Sequence, residues 1–291
     1  MSAHGVAANV AAYSKRADSY GGVHPEIFNA HEQQRLRLAL QAAQAAIQSD
    51  GRRACDYGCG TGNLTRHLLD LGLDVTAADV TPRFLRIVEE CYRVETVELV
   101  GGDADALRGD FDLIALYSVL HHIPDYLASV RALTEKLRPG GVLFIDHEAN
   151  DHHWDPPLEL RTFHALNARA RTGAFWDPPH KRWQHLMRAA VVPSRHRARL
   201  RRMRRITDEG DIHIWPDDHI EWGPLLATLE DSGMEIVERK DYLHFVDGYD
   251  EGLWQDWRGR CDDYSGVLAR RVLGRPGVRA ALAATKRNGT F

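Results

Sequence analysis

Cysteine is scarce and scattered. The residues at 55, 59, 91 and 261 make no second pair at zinc-knuckle spacing, which argues for reduced thiols filling small core spaces. Lysine is rarer than arginine, occurring only at 15, 136, 181, 240 and 286. A positive excess is also missing. The formal net charge of −4 removes the general attraction that nucleic acid or an anionic membrane would exploit. No apolar run approaches the ~20 residues of a membrane span. Met1–Ala7 lacks a basic start leading into an apolar stretch, so no secretory signal is read there and a cytoplasmic location is expected. What remains is ordinary globular material, 44% hydrophobic and 27% charged, enough for one large domain or a core with an insertion.

The informative segment runs Ala54-Cys55-Asp56-Tyr57-Gly58-Cys59-Gly60-Thr61-Gly62-Asn63-Leu64. It reads as a buried strand, a glycine-rich turn and the opening of a helix. Alternate glycines let the backbone bend sharply, and a ligand can then lie against main-chain N–H groups at the helix N-terminus. A dinucleotide fingerprint would require glycine at the sixth position, which here is Asn63. Asp56 precedes the turn. Asp79 ends a second apolar run about 20 residues on, where an acid can grip ribose hydroxyls. A third acid, Asp103, follows Val97-Glu98-Leu99-Val100 and a Gly-Gly pair.

With these features in order, the chain resembles the class I S-adenosylmethionine-dependent methyltransferases. The resemblance rests on Asp56–Gly62, Asp79, Gly102-Asp103-Ala104, Phe111–Ser118, Leu120-His121-His122-Ile123-Pro124-Asp125 and Leu137–Ile145. It covers residues 50–148; the competing reading is another nucleotide-binding α/β domain using the same turn. The resemblance implies S-adenosylmethionine as cofactor. Its methionine part would pack on Gly58, Cys59 and Gly60, its ribose on Asp79, and its adenine on Val80, Asp103 and Ala104, with Tyr117 and Ser118 closing the other side. Asp56 would act indirectly, through the loop.

Alternating strands and helices between residues 54 and 145 predict a doubly wound, mostly parallel Rossmann-like α/β sheet. The strands fall at about 54–57, 73–78, 96–100, 111–117 and 141–146. The chain divides into an N-terminal helical segment (1–50), the cofactor-binding core (51–149), a helical cap insertion (150–210) and a C-terminal part completing the sheet, with a terminal helix (211–291). A helix is read over 28–47 and a strand over 234–239. Residues 242–246 extend that strand or lie apart, and 267–284 look helical. The tryptophans all follow residue 150, and Trp-Asp-Pro-Pro occurs at 154–157 and again at 176–179.

Methyl transfer from a sulfonium is a displacement in line with the departing sulfur, and a general base is needed only if the acceptor must lose a proton. Histidine suits that task. The candidate bases are His121, His122 and His147. Tyr20, Glu148, His152, His153 and Trp154 are candidate acceptor contacts, with His147 and Glu148 at the mouth. Asp151, His147, His152 and His153 lack ordered ligand spacing, so no metal is assigned. The arginines at 195–205 read as an anion clamp or a solvated helix face. His213–His219 either reaches over the site or has Asp217 and Asp218 capping the next helix.

These features predict a methyltransferase acting on a small-molecule acceptor, since a cap builds an enclosed pocket. The alternatives are a protein of this fold that uses the cofactor without methylating, and an RNA or protein methyltransferase using the arginine run. Oligomeric state is not legible.

Overall fold

The computed structural model of the chain describes residues 24–100, 104–172 and 212–272, together with Val10 and Ser14. Tyr20, Asp103, the second Trp-Asp-Pro-Pro and the arginine run lie outside the described residues. The order of elements is α1 (Pro25–Phe28), α2 (Ala30–Ala46), β1 (Arg53–Tyr57), α3 (Asn63–Asp70), β2 (Asp74–Asp79), α4 (Pro82–Tyr92) and β3 (Glu95–Glu98). Then follow β4 (Phe111–Tyr117), α5 (Tyr126–Glu135), β5 (Leu137–Ala149), α6 (Asp151–Trp154) and α7 (Leu158–Thr172). The chain continues through β6 (Ile214–Trp215), β7 (Asp218–His219), α8 (Trp222–Asp231), β8 (Met234–Tyr242), α9 (Glu251–Trp257) and β9 (Tyr264–Arg271).

The sheet has seven strands in the order β3-β2-β1-β4-β5-β9-β8. β3 through β5 are parallel, and β9 runs antiparallel between β5 and β8. β4 shows why this sheet is covered on both faces: every residue of Phe111–Tyr117 is buried. Leu113, Ala115 and Tyr117 join the core under α2 and α3, while Ile114 and Leu116 join the core under α5 and α8. Strand order reverses between β1 and β4, so their carboxyl ends open the crevice where such sheets take ligands.

Several predicted bounds shift. The first helix is split, with Asn29 between α1 and α2 accepting a hydrogen bond from the Glu32 amide as N-cap. β5 is longer than expected: it starts at Leu137, opposite Phe111, and runs to Ala149. β8 extends to Tyr242 and stops there, so 243–246 are not strand. The helix read from residue 267 is corrected, because Val267, Leu268 and Ala269 pair with β5 on one side and β8 on the other. A run buried on both faces between two strands has no polar stripe, and periodicity alone does not separate it from a helix. Residues 273–284 lie outside the described region. None of the helices among the described residues is long and apolar enough to cross a membrane.

Candidate functional site

The turn after β1 is built on positive backbone angles at Gly58 (φ 78°), Gly60 (φ 50°) and Gly62 (φ 87°). The Gly58 and Cys59 amides donate to the Ala78 carbonyl at 2.7 and 3.0 Å, lashing the turn to the end of β2. A Cβ on Gly58 would meet the Val119 methyls at 2.6 Å, and one on Gly62 would meet the Tyr92 ring at 2.5 Å. A Cβ on Gly60 would meet nothing within 4 Å. Among the described residues Gly60 therefore faces open space. This contrast gives a first prediction. Gly58→Ala is expected to lower thermal stability by about 2 kcal/mol or more through strain and overpacking. Gly60→Ala should cost only the left-handed penalty of about 1 kcal/mol, yet reduce S-adenosylhomocysteine affinity at least tenfold. Differential scanning fluorimetry and calorimetric titration would separate the two.

Asp79 sits at the end of β2 and is buried. Its Oδ2 accepts from the Gly60 amide at 2.9 Å and its Oδ1 from the Thr81 amide at 2.7 Å. A carboxylate has about four acceptor positions; the Thr81 side chain also bonds Asp79, which leaves capacity for a further hydroxyl. Burial pushes the Asp79 carboxyl above its ordinary range, against the opposing pull of those amides. Asn63, the first residue of α3, has a buried side-chain Nδ2 with no hydrogen-bond partner among the described residues. The open face of Gly60, this unpartnered amide and the partly used Asp79 carboxylate together fit a nucleoside carrying an amino-acid tail. Asp56 is different. It is buried and accepts from the Thr65 hydroxyl at 2.5 Å, and burial lifts its pKa to about 7. It braces the first turn of α3 from behind. Val80 packs partly buried against the core, and Ala104 is buried in a short 3-10 turn.

The segments after β4 and β5 form the opposite wall. Ser118 has φ 58° and His147 φ 62°, two strained non-glycine positions on neighbouring strand ends. The Ser118 amide donates to the Asp146 carbonyl at 2.9 Å, joining them. Val119 touches the glycine turn, and His121 and His122 follow it on the same loop, their rings 4.0 Å apart. Glu148 is buried rather than at the mouth, because its oxygens are taken up by the loop. Its Oε1 accepts from the Val119 and Leu120 amides at 2.8 and 2.7 Å, and its Oε2 pairs with His121 Nδ1 at 2.8 Å. Burial alone would raise the Glu148 pKa; the His121 charge and hydrogen bond and the two amides outweigh it and hold the carboxyl low.

His147 is also buried, stacked on Tyr117 at 5.0 Å between ring centroids. Its Nδ1 lies 3.3 Å from both Tyr242 Oη and Glu32 Oε1. The Tyr117 hydroxyl donates to the same Glu32 oxygen at 2.8 Å. His147 and Tyr117 therefore belong to a buried network and not to the mouth.

α6 stands at the rim. His152 Nδ1 pairs with Asp262 Oδ1 at 2.8 Å, and His153 meets Tyr264 edge-on at 5.7 Å. No cluster of three metal-ligating side chains occurs among the described residues. The segment from 212 reaches back over the loop: the Ile212 and His213 amides both donate to the His121 carbonyl at 3.0 Å. Asp218 pairs with His213 and so does not cap α8, whose N-cap position is Glu221. Sequence reasoning missed Glu32, Arg35, Tyr242 and His219. Glu32 had a signal: a carboxylate one turn before Leu36 occupies the apolar face of α2.

A family model described as a methyltransferase domain matches residues 28–201. The ubiquinone biosynthesis O-methyltransferase of Xanthomonas campestris pv. campestris is 36% identical over 119 residues, which is 38% of this chain and 48% of the relative. That of Xanthomonas axonopodis pv. citri is 34% identical over 117 residues, 37% of this chain and 48% of its own. The chain thus spans about half the length of the curated relatives it matches. Among solved structures, the N-methyltransferase NodS from Bradyrhizobium japonicum, in complex with S-adenosylhomocysteine, superposes with a TM-score of 0.52 at 15% identity, covering 90% of this chain and 98% of that one. An S-adenosylmethionine-dependent methyltransferase from Clostridium acetobutylicum gives 0.51 at 11% identity, covering 88% and 99%. At such identities the likeness is one of fold.

Proposed function

From the chain's membership of the class I S-adenosylmethionine-dependent methyltransferases, we propose that it methylates an oxygen of a small planar molecule held between the glycine turn and α6. When bound, S-adenosylmethionine supplies an electrophilic methyl group on a sulfonium. Gly60 and Asn63 would hold its amino-acid end, and Asp79 its ribose. The walls after β4 and β5 orient the acceptor oxygen and exclude water, which removes most of the entropic barrier to displacement.

The observation that carries the chemistry is the Glu148–His121 pair at 2.8 Å. With Nδ1–H donated to the buried carboxylate, the Nε2 lone pair is the basic position of the imidazole. It accepts the acceptor's O–H proton as the new C–O bond forms, and Glu148 stabilises the imidazolium that results. His121→Ala is expected to lower kcat about 100-fold, the lower end for a positioned base, because an acidic phenol ionises partly unaided. Glu148→Gln keeps a hydrogen-bond acceptor but loses the charge, and should shift the acidic limb of the pH–rate profile with a smaller loss. The overall test is a panel of phenols incubated with enzyme and S-adenosylmethionine. S-adenosylhomocysteine released in step with a methyl ether supports the proposal. Release without a methylated product, or binding without turnover on any oxygen acceptor, removes it.

A further inference from the structure

Between β8 and β9 the chain builds a second imidazole–carboxylate pair, His244 with Asp263, both buried. Asp263 Oδ1 accepts from the His244 amide at 3.0 Å, and its Oδ2 pairs with His244 Nδ1 at 2.7 Å. The Asp263 backbone is fixed as well: its carbonyl accepts from the Asn150 amide at 3.0 Å, and its amide donates to the Tyr242 carbonyl at 3.1 Å. An ionised carboxylate only accepts, so in the neutral ring the proton sits on Nδ1 and the lone pair on Nε2. That Nε2 has no hydrogen-bond partner among the described residues. The sealed side-chain atoms left unpartnered among those residues are on Ser49, Asn63, Trp154 and His219, and His244 Nε2 is not one of them. This nitrogen is therefore open, and the side chain keeps 9% of its surface exposed.

The pair stands on the same end of the sheet as His121. Glu148, which holds His121, pairs with Ser265 in the β5–β9 ladder. Asp263 lies two residues before Ser265, about 7 Å of extended chain. From the other direction, Tyr117 at the end of β4 stacks on His147, and His147 meets the His244 ring edge-on at 6.1 Å. The Tyr264 ring lies 4.2 Å from that of His244 and gives an aromatic ligand a flat wall. The amide bond to Oδ1 is enough to clamp the segment after β8. The second bond, from the ring, sets which nitrogen is presented to a ligand.

We propose that His244, oriented by Asp263, is an acceptor-binding residue that selects molecules bringing a hydrogen-bond donor to Nε2. The substrate class is then an aromatic with a second protic group, O–H or N–H, besides the oxygen that is methylated. An ether or ketone in that place would set a lone pair against the Nε2 lone pair, and the contact would count against binding. This rests on the methyl-transfer reading above.

The test is calorimetric binding to the full chain saturated with S-adenosylhomocysteine, at about pH 8, above the ordinary imidazole pKa of about 6.5. The probes are 1,3-, 1,6- and 2,7-dihydroxynaphthalene, each compared with its monomethyl ethers. At least one diol is expected to bind tenfold or more tightly than its ethers. Asp263→Asn separates the proposal from a structural clamp. The amide oxygen still accepts from the His244 backbone, but the amide NH2 now donates to Nδ1, which moves the ring proton to Nε2. The nitrogen then donates, hydroxyl and ether oxygens both accept from it, and the preference should fall to within about threefold. His244→Phe should erase it as well, giving a second variant if the first folds poorly. Diols and ethers binding alike, or neither binding, in the wild type overturns the proposal. So does a preference retained by either variant once circular dichroism shows it folded. Failure of the methyl-transfer reading would show separately, as diol preference with no S-adenosylhomocysteine formed from S-adenosylmethionine and any diol.

Discussion

Asp79→Ala is expected to weaken S-adenosylhomocysteine binding at least about 1000-fold while leaving a folded protein. Two losses add. Hydrogen bonds to a charged group are each worth about 1.5–3 kcal/mol, and a ribose hydroxyl would make one of them. The same carboxylate also accepts from the Gly60 amide at 2.9 Å, so its removal frees the one stretch of the turn that faces open space. Titration calorimetry on the purified variant, with circular dichroism to verify folding, reads both. An affinity within tenfold of wild type would place the ribose elsewhere and remove the cofactor pose argued above.

The same residue gives the binding a pH dependence with a definite sign. Burial raises the Asp79 pKa above its ordinary value of 3.8, and the Gly60 and Thr81 amides offset that in part. Hydroxyl recognition needs the carboxylate. Affinity should therefore decline on acidification sooner than for an exposed aspartate, and the decline should be absent in Asp79→Asn. That variant retains one acceptor oxygen and should fall between wild type and alanine.

Much of the core was legible because its signals are local. Glycines at 58, 60 and 62 must take left-handed angles, and all three do. Apolar runs at 54–57 and 111–117 became β1 and β4 nearly residue for residue, since a strand covered on both faces has no other reading within a βαβ pattern. Non-local features were not legible. β9 depends on β5 and β8 for its conformation, and nothing within Tyr264–Arg271 announces those partners. Glu148 was read as facing the mouth because it follows a strand. The strand instead runs to Ala149, and its carboxylate turns inward to the Val119 and Leu120 amides. Trp154 was legible as a rim aromatic, but its ring neighbour His219 comes from 65 positions along the chain (219 − 154) and only the fold brings the two rings together.

Glu32 carries the other large expected effect, this time on stability. Its carboxylate is buried and accepts from Arg35 Nε at 3.0 and 2.9 Å and from the Tyr117 hydroxyl at 2.8 Å, with His147 Nδ1 at 3.3 Å. Arg35 Nη1 goes on to Asp146 Oδ2 at 2.9 Å, and its guanidinium lies 3.8 Å over the Tyr242 ring. One carboxylate thereby joins α2 to the ends of β4, β5 and β8, directly beneath the strained positions 118 and 147. Glu32→Ala would leave these buried donors unpaired at a cost of about 3–5 kcal/mol, a fall in Tm of roughly 10 °C for a protein of this size. Glu32→Ala combined with Arg35→Met should recover a large part of that loss, because the remaining cation is then removed as well. The pH sign follows from the carboxyl itself. Burial by itself would raise its pKa, but His147 and Arg35 overcome that and hold it far below its ordinary 4.5. A depressed folded pKa gives stability that is fully present above the unfolded value and lost as pH falls below it. The stability gap between wild type and Glu32→Gln, measured by urea titration, should therefore be constant near neutrality and narrow below about pH 4.5. A gap that widened on acidification would mean that the network is held by neutral hydrogen bonds, and that α2 is fastened to the sheet by its apolar face at Leu36, Leu40 and Ala43 alone.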